Sequence, residues 1–146
     1  MKITLLKPTD NQWEQVAEYA RNCSWRAGEN LAQRMDNHEF SDWERVIVAQ
    51  IEDKIVGFCI VSKTDCIPDV AYMPYISYVF VDEVYRGNRI SEKLCQAALQ
   101  HLQQAGFGEV YLVSGEQGLY EKYGFVKIDE KQAFWGDMQS IFCYAI

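Results

Sequence analysis

The chain has 146 residues, of which 49% are hydrophobic and 24% charged, and its 14 basic and 21 acidic side chains leave a net charge of −7. That supports one globular domain over residues 1–146 with an ample core, and it excludes a disordered, collagenous or low-complexity chain. The negative balance provides no basic face for a phosphate backbone, so no nucleic-acid partner is expected, while a cationic partner is compatible with it.

A membrane-spanning helix needs about 20 apolar residues, and the longest strongly apolar run here is Ile55–Val61. Met1–Pro8 has neither a long apolar stretch nor a small-residue cleavage site. No leader and no membrane partner are therefore expected, and the compartment reads as the cytosol. The 5 cysteines include no C-x-x-C pair, and Cys59, Cys95 and Cys143 sit within apolar patterns, as free thiols in a reducing compartment do. Two distant histidines, His38 and His101, give no expectation of a metal site.

In chain order, Lys2–Lys7 reads as a strand. Thr9-x-x-Gln12 is a capping-box pattern that predicts a helix with Trp13, Val16, Ala17 and Ala20 on one face. Ser24 is placed to cap a second helix carrying Leu31, Ala32 and Met35, with Gly28 inside it. Arg45–Ile51 and Ile55–Lys63 read as strands joined by the short turn Glu52–Lys54, hence an antiparallel hairpin. After a loop holding Pro68 and Pro74, Tyr75–Asp82 is a third strand, and these runs lack the alternation of half-exposed strands. Ser91 is placed to cap a helix with Leu94, Cys95, Ala98, Leu99 and Leu102 on one face, ended by Gly106. A strand Glu109–Ser114, a short helix Glu116–Tyr123 stopped by Gly124, and strands Phe125–Glu130 and Ser140–Ile146 complete the chain. The expected architecture is a mixed α/β sheet of about seven strands flanked by helices, with one central strand–helix–strand unit.

Within that unit, Tyr78-Val79-Phe80-Val81 leads through Asp82–Tyr85 into Arg86-Gly87-Asn88-Arg89-Ile90-Ser91 and a helix. A turn feeding a helix N-terminus leaves several N–H groups pointing outward at the positive end of the helix dipole, a setting for an anion such as a phosphate. Gly87 lets the backbone approach a ligand, and Arg86 and Arg89 add positive charge. The same residues also suit a plain strand-to-helix connection with solvated arginines. There is no G-x-x-x-x-G-K-[ST], and Gly106-Phe107-Gly108 lies between helix and strand, the wrong order for a dinucleotide fingerprint. Further on, Leu119-Tyr120-Glu121-Lys122-Tyr123-Gly124-Phe125 places Tyr120 and Tyr123 three residues apart, near one helix face.

Together these segments resemble the GNAT superfamily of N-acetyltransferases. Tyr85-Arg86-Gly87-Asn88-Arg89-Ile90-Ser91 is similar to its motif A, usually Q/R-x-x-G-x-G/A, and Leu119–Phe125 to its C-terminal Y-E-K-x-G-F segment. Arg89 stands where the motif has its first glycine, and Ser91 where Gly or Ala is usual. The resemblance implies acetyl-CoA as co-substrate and no metal. It implies a pyrophosphate on the N–H groups of Arg86, Gly87, Asn88, Arg89, Ile90 and Ser91. Pantetheine would pair like an extra strand with Val79, Phe80 and Val81, in a gap between the strands ending at Asp82 and Ser114. An N–H of Val79 or Phe80 would face the thioester carbonyl, Tyr123 would lie at the cofactor, and Tyr120 would donate to the departing thiolate. The acceptor would be a small-molecule or peptide amine attacking directly, in a pocket made by Trp25–Phe40 and Thr64–Pro74.

The chemistry sets two demands. Deprotonating a lysine-type amine at pH 7 costs about 4.6 kcal/mol, so a base is needed. Asp65, Asp69, Glu29 and Asp36 are equal candidates, each also readable as solvated surface. Full proton transfer from an ordinary phenol to a thiolate is uphill by about 2 kcal/mol, which makes Tyr120 a hydrogen-bond donor unless its pKa is lowered. A non-catalytic acyl-CoA sensor and a nucleotide-binding domain remain as alternatives, and a homodimer stays open. Trp13, Trp25, Trp43 and Trp135 read as packing residues.

Overall fold

The computed structural model describes residues 1–146. Strands β1 (Lys2–Leu6), β2 (Arg45–Ile51), β3 (Lys54–Ser62), β4 (Tyr75–Val81), β5 (Glu109–Ser114), β6 (Val126–Gln132) and β7 (Met138–Ala145) form one 7-stranded sheet in the order β1-β2-β3-β4-β5-β7-β6. Helices α1 (Trp13–Asn22) and α2 (Ala27–Asp36) lie between β1 and β2, α3 (Ile90–Gln104) between β4 and β5, and α4 (Leu119–Lys122) between β5 and β6. All neighbours are antiparallel except β4 and β5. The expected element order and mixed sheet are those observed.

Unbroken apolar runs in β2 and β3 follow from burial on both faces. Ile47 and Ala49 pack with Val56, Cys59 and Val61 under α3, where Leu94, Cys95, Ala98 and Leu102 point inward. Val46 and Val48 pack with Phe58 and Ile60 on the opposite face, under α1 and α2. The sheet is thus sandwiched, and its centre is anchored from both sides. Gly28 belongs to this packing. A Cβ there would collide with the carbonyl oxygen of Ala20, so the glycine is what lets α2 close against α1.

The helix starts differ from the sequence expectation. Thr9 caps nothing. Asp10 organises the turn instead, its Oδ2 accepting from the Lys7 N–H at 2.7 Å and its carbonyl from Trp13 at 3.1 Å. Ser24 precedes α2 without capping it, because the turn before that helix is closed by backbone bonds from Gly28 to Trp25 and from Glu29 to Arg26. Ser91 lies inside the first turn of α3, whose N-cap is Arg89. The last helix begins at Leu119 rather than Glu116, since the Glu116 N–H turns back to Ser114 Oγ and Gly118 takes a left-handed φ of 87°.

Candidate active site

The parallel contact of β4 and β5 covers only Tyr75↔Tyr111 and Ile76↔Leu112. Beyond it β4 runs on to Val81 with no β5 partner, and the sheet opens into a wedge. On its other side β4 remains paired with β3, but the register slips between Phe58 and Ile60. Tyr78 and Val79 form the resulting bulge, with Tyr78 at a φ of 53°. A bulge takes a residue out of the ladder and re-aims its backbone. The wedge opens into a cavity of about 1230 Å³.

The cavity gathers most of the residues expected at the cofactor. Val79, Phe80 and Val81 line its β4 wall, and Arg86, Gly87, Arg89, Ile90 and Ser91 line the end beside α3. Asn88 does not reach it; its Nδ2 donates to the Tyr85 carbonyl at 2.9 Å and closes the loop. The backbone amides of that loop divide sharply. The Arg86 N–H donates to Glu83 at 3.4 Å, whereas those from Gly87 to Glu92 donate to no backbone carbonyl. Consecutive free amides at a helix N-terminus are the material of an anion cradle. Gly87 has a φ of 88° with open space where a Cβ would project. Arg89 holds a left-handed φ of 61° where the motif A pattern has glycine, a conformation that costs an L-residue about 1–2 kcal/mol. Neither arginine is free: Arg86 Nε donates to the Val81 carbonyl at 3.0 Å, and Arg89 pairs with Glu92 at 2.8 Å.

Across the wedge, α4 presents Tyr120 and Tyr123 to the cavity. Tyr123 shares a 2.6 Å hydrogen bond with Ser91 Oγ, tying α4 to the first turn of α3. Tyr120 is buried against Phe125, Phe142 and Tyr123. Its hydroxyl makes no bond within the chain and faces the cavity. Burial, then the neighbouring Cys95 and Glu116, push the phenol well above its usual pKa. It remains protonated at neutral pH and suits hydrogen-bond donation rather than full proton transfer.

The far end of the cavity is built by Trp25, Arg34, Asp65 and Cys66 with Phe134 and Trp135. Of the four carboxylates that the sequence left equivalent, Asp65 lines the cavity; Glu29, Asp36 and Asp69 do not. The packing expected of the tryptophans holds for Trp13, buried with its N–H on the Met35 carbonyl, and for Trp43, edge-on to Phe107. It holds also for Trp25, which packs against Phe58, Tyr78 and Phe80, and fails for the exposed Trp135. Trp25 stacks on Phe80 at 6.0 Å and 3° while facing the cavity, and Trp135 reaches the cavity from the β6–β7 turn. That turn is docked by the Phe134 N–H on the Cys66 carbonyl at 3.1 Å, a contact with no local sequence signal.

The sequence profile of the Acetyltransferase (GNAT) family matches residues 11–125. The chain belongs to this family. Within it, a stretch of 75 residues is 33% identical to N-alpha-acetyltransferase 30 of Saccharomyces cerevisiae, covering 48% of this chain and 43% of that protein. The chain thus spans less than half the length of the curated relative it matches. Two solved structures have the same fold: aminoglycoside 6'-acetyltransferase type Ii, with a TM-score of 0.75 at 17% identity, covering 99% of this chain and 97% of that one, and an aminoglycoside 6'-N-acetyltransferase complexed with coenzyme A, with a TM-score of 0.73 at 15% identity over the same shares. No helix is long and apolar enough to cross a membrane.

Proposed function

We propose that the protein is an amine N-acetyltransferase that uses acetyl-CoA. The observation that carries this reading is the placing of the unpartnered Tyr120 hydroxyl in the same cleft as the free amides of Gly87–Glu92, with the unpaired end of β4 between them. The residues fit the donor part by part. The amides at the head of α3 suit a diphosphate. The β4 backbone from Val79 to Val81 has the extended form that a pantetheine amide chain can pair with, as an added strand would. An N–H at the bulge, of Val79, or just after it, of Phe80, stabilises charge developing on the thioester oxygen. Tyr120 donates a hydrogen bond to the departing sulfur, and the Tyr123–Ser91 bond ties the helix that carries it to the head of α3.

The acetyl group supplies an electrophilic carbonyl, and a neutral amine adds to it directly in a ternary complex. The acceptor enters from the end lined by Trp25, Asp65 and Trp135, where aromatic faces and a carboxylate suit an ammonium group. A panel of small-molecule and peptide amines incubated with acetyl-CoA, reading free thiol, tests this. Amine-dependent thiol release is expected. Tight binding of acetyl-CoA with no release for any amine would instead indicate a sensor.

A further inference from the structure

Asp65 lies in the loop between β3 and β4, at the acceptor end of the cavity. It is fixed more firmly than a surface carboxylate. Its Oδ1 accepts from the Cys66 N–H at 2.6 Å, and its Oδ2 accepts from Ser77 Oγ at 2.7 Å. Ser77 is itself buried in β4, one residue before the bulge at Tyr78 and Val79. The carboxylate is therefore braced directly against the strand whose bulged amides face the reacting carbonyl in the proposed function. Each carboxylate oxygen keeps a lone pair after these bonds. Asp65 makes no ion pair within the chain; Arg34 acts on it only as a nearby charge, without a direct contact. A half-buried, positioned and unpaired carboxylate facing a cavity is complementary to a cation.

We infer that Asp65 binds the ammonium group of the acceptor and takes its first proton. This rests on the acetyltransferase reading above. One N–H proton passes from the ammonium nitrogen to an Asp65 oxygen, which frees the nitrogen lone pair. That pair forms the C–N bond while the C–S bond breaks and its electron pair leaves on sulfur. The second proton, shed by the new amide nitrogen, ends on the thiolate, and Asp65 returns its proton to solvent. The groups facing Asp65 are Arg34 from α2, Tyr75 and Tyr78 from β4 and the adjacent Cys66. Burial raises the carboxyl pKa, while the Ser77 hydrogen bond and Arg34 oppose the rise. A raised carboxyl pKa narrows the gap to the amine and favours proton acceptance.

The test does not need the natural acceptor. Its probes are coenzyme A thioethers ending in an ω-aminoalkyl chain of two to four methylenes, each compared by calorimetry with its uncharged alkyl counterpart. At least one aminoalkyl chain is expected to bind about tenfold tighter than its counterpart. The preference should vanish in Asp65→Asn while the alkyl thioethers bind unchanged, and Asp65→Glu should restore part of it. The preference should also disappear as the pH falls through the carboxyl pKa. Ser77→Ala removes a donor to the ionised form, so that loss should occur at higher pH in this variant; it keeps the proposal testable should Asp65→Asn fail to fold. Equal binding of charged and uncharged thioethers at every chain length, or a preference that persists in Asp65→Asn, would overturn the role of Asp65. Failure of coenzyme A itself to bind would overturn the acetyltransferase reading and the role with it, and the two failures are distinct in the same titrations.

Discussion

At the α3 end of the cleft the unpartnered polar groups are main-chain amides from one stretch, Gly87–Glu92, whereas the other end is lined by side chains from three separated segments: Trp25 and Arg34, Asp65, and Phe134 with Trp135. The difference has a consequence for how each end tolerates change. An amide cradle depends on φ and ψ, so Arg89 and Ser91 can stand where motif A has glycine or a small residue and each still presents an N–H. A wall of side chains has no such tolerance, and its chemistry changes with each substitution. One end can thus hold a constant donor while the other is free to select an acceptor.

Tyr120 lies between the two ends, and its removal should have the largest effect. Tyr120→Phe deletes a hydroxyl that bonds to nothing in the chain, so folding stability should not move measurably. Losing a hydrogen bond to a developing thiolate is worth about 1.5–3 kcal/mol. In steady-state assays kcat should fall roughly 12- to 160-fold, with acetyl-CoA affinity unchanged. Because burial pushes the phenol pKa upward, no Tyr120 limb should appear in the rate profile across neutral pH. An unaltered kcat would remove the residue from the mechanism and leave the cleft a binding site only.

Next in size is a change confined to the acceptor end. Trp135 is 54% exposed at the β6–β7 turn, so Trp135→Ala should unfold at nearly the parent temperature. Loss of an aromatic contact of about 0.5–1.5 kcal/mol should raise the acceptor KM roughly 2- to 12-fold, with the acetyl-CoA KM unmoved. A rise in the acetyl-CoA KM instead would show that the two ends are not separate. The smallest effect belongs to the cradle. Arg89→Gly relieves a left-handed residue but loses the exposed pair with Glu92 and loosens the unfolded chain. Stability should change by less than about 1 kcal/mol by chemical denaturation, and acetyl-CoA affinity by less than about threefold. A tenfold loss of affinity would assign the Arg89 side chain, rather than its amide, to the ligand.

The fold was legible because its signals are periodic. The apolar spacing of α1 and α3 and the unbroken runs of β2 and β3 report faces that must be buried whatever their partners. The caps were not, because Thr9, Ser24 and Ser91 carry the same hydroxyl signal as true caps, and only the path of the backbone shows that Asp10 does the work at α1 and that Ser91 is bonded to Tyr123. The cradle could be read from sequence because its atoms are contiguous. The acceptor wall could be read only in outline: Trp25–Phe40 and Thr64–Pro74 were placed there, but Phe134 and Trp135 arrive through one backbone bond to Cys66. Asp65 differs from Asp69, Glu29 and Asp36 in lining the cavity and in the Cys66 N–H and Ser77 hydroxyl that hold it, and none of these shows in the local sequence.

The most direct test of the central claim is an amide titration by nuclear magnetic resonance with coenzyme A. The claim requires that the N–H protons of Gly87–Glu92 shift downfield together and saturate, with those of Val79–Val81 moving in parallel. Saturable binding that leaves Gly87–Glu92 unmoved and perturbs amides elsewhere in the chain would contradict it.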